Sequence, residues 1–251
     1  MDTYLIGLDC AAQHSKFGVA LGSLGPSGMQ IHKVETNNKN VVPVIVQWIK
    51  TYQPRILAFD APMGWPATLG EALGDHCAGI MLPFESDDLF HRETDKFVRK
   101  KLNKRPLEVG ADKIARAAAT ALRVASTIRK NTGIKLRLLW EPGIPNETGM
   151  IEVYPAATLL AHSFSEKGYK GNKAEHREAR SVLLKDLSEF MKFNISTDLL
   201  VSSDDALDAV ICIMAAVDFA KGTAYMPENI VVARKEGWIW FNKTKHKTTV
   251  A

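Results

Sequence analysis

The sequence lacks most of the short motifs that identify a common enzyme class. It contains no Cys-x-x-Cys pair, no Gly-x-x-x-x-Gly-Lys-Ser/Thr loop, no Gly-x-Gly-x-x-Gly element and no His-Glu-x-x-His pair. A structural zinc site, a P-loop nucleotide site and a dinucleotide site are therefore not predicted. Because the chain also has no Gly-x-Ser-x-Gly elbow, a serine-hydrolase triad is unsupported.

Long apolar runs and sorting signals are missing as well. No stretch reaches about 18 apolar residues without a charge, so we expect no membrane span. The chain enters a strand-like segment almost at once, without a basic leader and cleavage site, which predicts that it is not secreted. Three widely spaced cysteines, Cys10, Cys77 and Cys212, are typical of a reducing cytoplasm. We therefore expect a cytoplasmic protein without a membrane partner.

The composition is that of an ordinary globular protein. The 251 residues are 46% hydrophobic and 24% charged, which is enough to bury a large core. The net charge of +4 permits a nucleic-acid partner but does not require one.

The order of apolar segments predicts the fold. Three strand-like segments, over residues 3–9, 17–21 and 29–34, precede a helical segment over 41–52 and a buried strand over 55–60. A ribonuclease H-like fold begins in this way, with its first strand central and paired with the fourth. The order also obeys the right-handed crossover rule. We predict an α/β fold, a mixed five-stranded sheet flanked by helices.

The rest of the chain shows no repeat and no clean boundary, so we predict one ribonuclease H-like domain over residues 1–251. It would contain an insertion over about 61–135 and a disordered tail over about 243–251. Glycine and proline are dense over residues 61–90, which favours an irregular flap over the site. Further helices are predicted over 91–102, 111–130, 173–192 and 204–220, strands over 136–140 and 150–154, and a final hairpin over 231–233 and 238–240.

Two aspartates stand where buried strand-like segments end. Asp9 ends the first apolar segment and Asp60 ends the fourth. Open α/β sheets bind ligands at the carboxyl ends of their strands, and neighbouring carboxylates call for a cation or a shared proton. The pair therefore predicts a metal-dependent site, for which magnesium prefers such hard oxygen ligands. The alternative is that each aspartate only caps the end of its strand.

Three further acids are candidates for the same site. Asp205 and Asp208 lie three residues apart on one face of an apolar helix, and Glu152 stands alone in an apolar strand. Asp205 also fits a capping box with Ser202, and an outward Glu152 would simply be solvated. Asp208 is the strongest candidate of the three because it lies beyond the first helical turn, where burial would require a partner.

A basic segment follows the predicted flap. Residues 91–105 carry seven basic and two acidic groups, and four of the basic groups fall at helical spacing: Arg92, Lys96, Arg99 and Lys100. Beside a metal site, such a stripe could hold a phosphate backbone. The alternative is a solvated helix face whose ion pairs contribute little.

Taken together, these segments resemble domain-of-unknown-function family 429, a predicted-nuclease family of the ribonuclease H-like superfamily. The matching pieces, in chain order, are Gly7-Leu8-Asp9, Phe59-Asp60-Ala61-Pro62-Met63-Gly64, Arg92-x-x-Asp95-x-x-x-Arg99, Ile151-Glu152-Val153-Tyr154-Pro155, Lys173 through Arg177 before Leu183, Asp204-Asp205-x-Leu207-Asp208-Ala209 and Glu236-Gly237-Trp238-Ile239. The resemblance implies an acidic site made of Asp9, Asp60, Glu152, Asp205 and Asp208. The late Asp-x-x-Asp pair is similar to that of Holliday-junction resolvases, which carry a Glu where this chain has Asp60.

The residues and the resemblance together predict a metal-dependent nuclease that hydrolyses phosphodiester bonds of nucleic acid. Asp9 would bridge two Mg²⁺ or Mn²⁺ ions, and Asp60 with Asp205 or Asp208 would complete the ligand shells. Glu152 would be a secondary ligand or orient water. A catalytically inactive nucleic-acid or protein binding module is the alternative. A nucleotide-binding, ATPase-like relative is a third possibility, disfavoured because actin-type ATPases use two copies of this fold.

Overall fold

The computed structural model describes residues 2–12, 17–36, 40–110 and 112–243, so the predicted tail lies outside the described residues except for Lys243. The strands are β1 (Thr3–Asp9), β2 (Gly18–Gly25), β3 (Gly28–Thr36), β4 (Ile56–Asp60), β5 (Arg137–Leu138), β6 (Gly149–Glu152) and β7 (Met191–Phe193). The helices are α1 (Val42–Tyr52), α2 (Ala67–Gly74), α3 (Ser86–Phe90), α4 (Glu93–Leu102), α5 (Asp112–Thr132), α6 (Pro155–Ala161), α7 (Ala174–Leu187), α8 (Asp198–Ser202), α9 (Asp204–Ala220) and α10 (Ile230–Glu236).

The strands form one mixed sheet with the order β5-β6-β4-β1-β2-β3-β7. β1 pairs antiparallel with β2 and parallel with β4, while β2 pairs antiparallel with β3 and β4 pairs parallel with β6. The central order β3-β2-β1-β4-β6 is the ribonuclease H-like arrangement, which confirms the predicted fold class. The sheet has seven strands among the described residues rather than the predicted five, because the short β5 and β7 extend its two edges.

The buried strands supply side chains to both faces of the sheet. Neighbouring residues of a strand point to opposite faces, and Leu5 and Ile6 accordingly belong to two different hydrophobic clusters. Helix α9 contributes to one cluster, whereas α1 and α5 contribute to the other. The central strands are therefore covered on both faces, and the carboxyl ends of the parallel strands β1, β4 and β6 share one edge of the sheet.

Helix α9 is the central helix of the fold. Ser203 caps it, because its Oγ accepts a hydrogen bond from the Ala206 N–H at 3.2 Å. From Ala206 to Ala220 every residue is buried, as expected for a helix that is apolar all round. Even so, the part of the chain that the structure describes contains no helix long and apolar enough to cross a bilayer.

Three segments differ from the sequence prediction. The helix predicted over 173–192 ends at Leu187, and Met191 begins β7. The stretch 61–90 is not wholly irregular, because it contains α2 and α3. The hairpin predicted from residues 231–233 and 238–240 is also wrong, because α10 occupies the first of these segments. Asn229 caps this helix by accepting hydrogen bonds from the N–H groups of Val231 and Val232, at 3.1 and 3.2 Å. A local cap and packing thus override the strand preference of a β-branched pair.

Candidate metal centre

Asp9 and Asp60 face each other across the centre of the sheet. They are register partners at the carboxyl ends of β1 and β4. Neighbouring parallel strands lie about 4.8 Å apart, so the register alone brings the two carboxylates together. Both residues are partly buried. The position is the sheet edge at which open α/β folds bind ligands.

Helix α9 delivers Asp208 to the same place by lying unusually close to the sheet. A Cβ added at Gly7 would lie 2.0 Å from the carbonyl oxygen of Ala209, and one added at Gly18 would lie 1.9 Å from that of Asp205. A side chain at either glycine would push α9 away from β1 and β2. The two glycines therefore permit the approach that sets Asp208 beside Asp9.

The three aspartates form a cluster with the spacing of a metal site. One carboxylate oxygen from each of Asp9, Asp60 and Asp208 lies within 4.8 Å of the other two, and this is the one such group among the described residues. Asp9 and Asp60 line a cavity of about 250 Å³. Three hard oxygen donors at one point suit Mg²⁺ or Mn²⁺.

The cluster is electrostatically unfavourable without a cation. Burial raises the pKa of Asp9 well above its usual range, and the charges of Asp208 and Asp60 add to the rise. Burial likewise raises the pKa of Asp60 to about 7, although the charge of Lys170 opposes this increase. The carboxyls therefore resist ionising together. A bound divalent cation would stabilise their ionised forms against both the burial and the mutual repulsion.

Lys170 and Tyr169 complete the cluster, and neither is among the site residues predicted from the sequence. The Tyr169 hydroxyl donates to Asp208 Oδ1 at 2.6 Å, and Lys170 Nζ lies 2.7 Å from Asp208 Oδ2. The carboxylates in turn raise the pKa of Lys170, despite partial burial, so this lysine stays charged at neutral pH. The only sequence signal is an aromatic–lysine pair between two glycines, Gly168-Tyr169-Lys170-Gly171.

Glu152 lies near the cluster but its oxygens are engaged elsewhere. Arg92 contacts both of them, with NH2 at 2.8 Å from Oε1 and NH1 donating to Oε2 at 3.0 Å. The Met63 N–H also donates to Oε2, at 2.9 Å. Arg92 makes a further ion pair with Asp95 at 2.9 Å, and all three charged side chains are almost completely buried. Glu152 thus belongs to a buried ionic network that joins α4 to the end of β6.

Asp205 lies near the aspartate cluster without belonging to it, and Lys96 of the basic segment pairs with acids of α3 and α4. Asp205 precedes Asp208 by one turn and is partly buried, and its charge acts on Asp9 although it lies outside the three-carboxylate group. Lys96 pairs with Asp88 at 2.6 Å and with Glu93 at 3.6 Å.

The four predicted basic residues do not share one environment. Lys96 and Lys100 line a second cavity, away from the aspartates, and Arg99 and Lys100 are exposed. Arg92, by contrast, is buried at the start of α4. The structure therefore does not bring these residues together with the acidic cluster as one stripe.

The raised pKa of Asp60 predicts a pH-dependent effect on stability. A carboxyl whose pKa is higher in the folded state binds its proton more tightly there, so its contribution to stability falls as the pH rises from about 4 towards about 7. We expect Asp60→Asn to stabilise the metal-free protein relative to wild type at pH 8 but not at pH 5. Thermal unfolding in EDTA at both pH values measures this.

The exposed acid Asp186 on α7 provides the matched control, because Asp186→Asn removes the same charge away from the cluster. This control should show no such pH-dependent difference. A wild-type protein that gains stability over Asp60→Asn as the pH rises would contradict the interpretation.

Comparison with known proteins places the chain in a family. Thermus thermophilus RuvC in complex with a Holliday junction substrate aligns over 87% of this chain and 97% of its own, with 10% identity and a TM-score of 0.35. A second Thermus thermophilus RuvC structure aligns over 52% of this chain and 97% of its own, with 14% identity and a TM-score of 0.18. At these scores neither likeness bears on the site, and the fold assignment rests on the strand order. No curated protein matches the sequence. The model of the family described as "Protein of unknown function (DUF429)" matches residues 10–231, and the chain belongs to that family.

Proposed function

We propose that this protein is a metal-dependent nuclease that hydrolyses phosphodiester bonds of nucleic acid. The observation that supports this most strongly is the group of three carboxylates, Asp9, Asp60 and Asp208, whose oxygens lie within 4.8 Å of one another at the ligand-binding edge of the sheet. A Mg²⁺ or Mn²⁺ ion held there would polarise a phosphate and lower the pKa of water. The raised pKa values of Asp9 and Asp60 support binding of a cation, because burial and, secondarily, the neighbouring carboxylates disfavour their ionised forms, which a cation would stabilise.

The residues around the cluster have separate proposed roles. Asp9, Asp60 and Asp208 would hold the cation, and Asp205 would accept hydrogen bonds from water next to it. Glu152 acts indirectly, since its oxygens are held by Arg92 and the Met63 N–H, and we assign it to the support of the site.

The cavity walls suit a nucleotide. Tyr154 lines the cavity, and burial together with the charge of Asp60 raises its pKa to about 12, so its hydroxyl remains a hydrogen-bond donor for a substrate oxygen. Pro106, Leu107 and Ile114 form an apolar wall, of which Leu107 is 69% exposed. Such a wall matches the face of a base or a sugar.

A cleavage assay tests the proposal. Purified protein is incubated with labelled single strands, duplexes, RNA–DNA hybrids and four-way junctions, with Mg²⁺, with Mn²⁺ and with EDTA. We expect cleavage of at least one substrate that depends on the metal and stops in EDTA. Binding without cleavage on every substrate, with either metal, would instead support the catalytically inactive binding module.

Helix α4 carries the proposed phosphate contacts. Arg99 and Lys100 are exposed, and seven residues of helix place Arg99 about 10 Å along the axis from Arg92 at the cavity. Lys96, which is already paired with acids, would contribute less. Arg92 is buried and is left out of this surface.

Reversing the charges of this surface should weaken nucleic-acid binding. For the double variant Arg99→Glu/Lys100→Glu we expect weaker binding of every sequence and a salt-dependence slope smaller by about one per lost contact. Fluorescence anisotropy in EDTA over a salt series measures both quantities. Lys185→Glu, an exposed site on α7, is the control. Equal slopes for the double variant and the control would remove α4 from the interface.

A further inference from the structure

Lys170 occupies a defined position in the candidate metal centre. Its Nζ lies 2.7 Å from Asp208 Oδ2, although 55% of its side chain is exposed. A lysine that reaches into an acidic cluster from the solvent side loses much of its rotamer freedom. This cost in entropy is smaller if the backbone around Lys170 is already held in place. Two anchors, Arg180 and helix α9, hold it.

The loop that carries Lys170 is anchored by a buried arginine. Arg180 on α7 has no exposed surface, and its NH1 donates to the carbonyl oxygens of Tyr169 and Gly171. Its Nε donates to the carbonyl oxygen of Val201 at the end of α8, at 2.7 Å. The Arg180 side chain thus ties both flanks of Lys170 to the helical layer.

Helix α9 provides a second anchor for the same loop. The Gly171 N–H donates to Asp204 Oδ2 at 2.8 Å, at the start of the helix that carries Asp208. Helix α9 therefore holds both Asp208 and the backbone next to Lys170, which favours the contact between the two side chains.

The site offers few carboxylate oxygens beyond those needed for one cation. Both oxygens of Asp208 already have partners, since Tyr169 donates to Oδ1 and Lys170 contacts Oδ2. Both oxygens of Glu152 are held by Arg92. Asp208 can therefore offer a remaining lone pair to one metal ion but little to a second, whereas Asp9 and Asp60 make no ion pair among the described residues.

We propose that the ammonium of Lys170 takes the place of a second metal ion, so that the centre binds one divalent cation. The inference rests on the proposed function, because it assumes that the aspartates bind a metal. Once a metal ion has bound and the three carboxylates are ionised, these carboxylates and one ammonium carry a net charge of −2, which one divalent cation balances. Lys170 then supplies a fixed positive charge beside the substrate phosphate, the task of the second ion in two-metal sites.

The stoichiometry of Mn²⁺ binding tests this inference without any measurement of activity. Isothermal titration and Mn²⁺ electron paramagnetic resonance are applied to wild type and to Lys170→Met. We expect one ion per chain for wild type and two for Lys170→Met, because the substitution frees Asp208 Oδ2 and removes a repulsive charge. Lys170→Arg keeps the charge and should still bind one ion. Lys173→Met, which removes an exposed lysine three residues away, should also bind one.

The outcomes separate the two proposals. Two ions in wild type, or one ion in Lys170→Met at any affinity, would overturn the role of Lys170 and leave the metal centre in place. No ion bound by wild type would overturn the metal centre and the inference together.

Discussion

Asp208→Asn should abolish metal-dependent cleavage while the protein remains folded. Asparagine has nearly the same shape, so it can still contact Tyr169, but it removes one of three charged donors. Substitutions that only perturb the surroundings of a metal ligand reduce affinity or activity by about 10- to 100-fold. Loss of a ligand itself should therefore reduce both Mn²⁺ affinity and the cleavage rate by more than about 100-fold.

The control for this substitution is Asp186→Asn, which removes the same charge from an exposed position of α7. It should bind Mn²⁺ and cleave as wild type does. Circular dichroism and thermal unfolding establish that Asp208→Asn is folded. A folded Asp208→Asn variant that retains wild-type cleavage would show that the aspartate cluster is not the catalytic centre.

Arg92→Met should cause a large loss of stability. Arg92 pairs with Glu152 and Asp95 inside the protein, where the three side chains are at most 2% exposed. Removing the arginine leaves two buried carboxylates without their cation, and breaking a buried pair in this way costs about 3–5 kcal/mol. Urea unfolding at neutral pH measures the change in the free energy of unfolding.

Arg99→Met is the matched control, because it removes the same charged group from an exposed site of the same helix. Its effect should stay within about 0.5 kcal/mol. Equal stability of Arg92→Met and wild type would mean that the buried network does not hold α4 to the end of β6.

The periodic parts of the chain could be predicted from sequence. Helix α9 was predicted over residues 204–220 and is observed as Asp204–Ala220, because its apolar pattern is long and Gly222 marks its end. Its N-cap is Ser203, one residue after the Ser202 of the predicted capping box. Asp9 and Asp60 were paired correctly because β1 and β4 end at the same edge of the sheet. Packing between distant segments, by contrast, leaves little trace in a local pattern.

Arg92 illustrates this limit. In the sequence it belongs to a run of basic residues, and a charge run is typical of a solvated surface. The partner that buries it, Glu152, lies 60 residues further along the chain. Lys170 was missed for the same reason, since α7, β7 and α8 separate it from Asp208 along the chain. Local spacing therefore predicts which carboxylates meet, but not which cations accompany them.

The most direct test of the metal centre is a crystal soaked in Mn²⁺ and measured for anomalous scattering. We predict a peak within about 2.0–2.5 Å of oxygens of Asp9 and Asp60, the range for hard divalent cations, with no such peak in a crystal of Asp9→Asn. A crystal with no peak at these aspartates, after a soak that saturates Mn²⁺ binding in solution, would contradict the account.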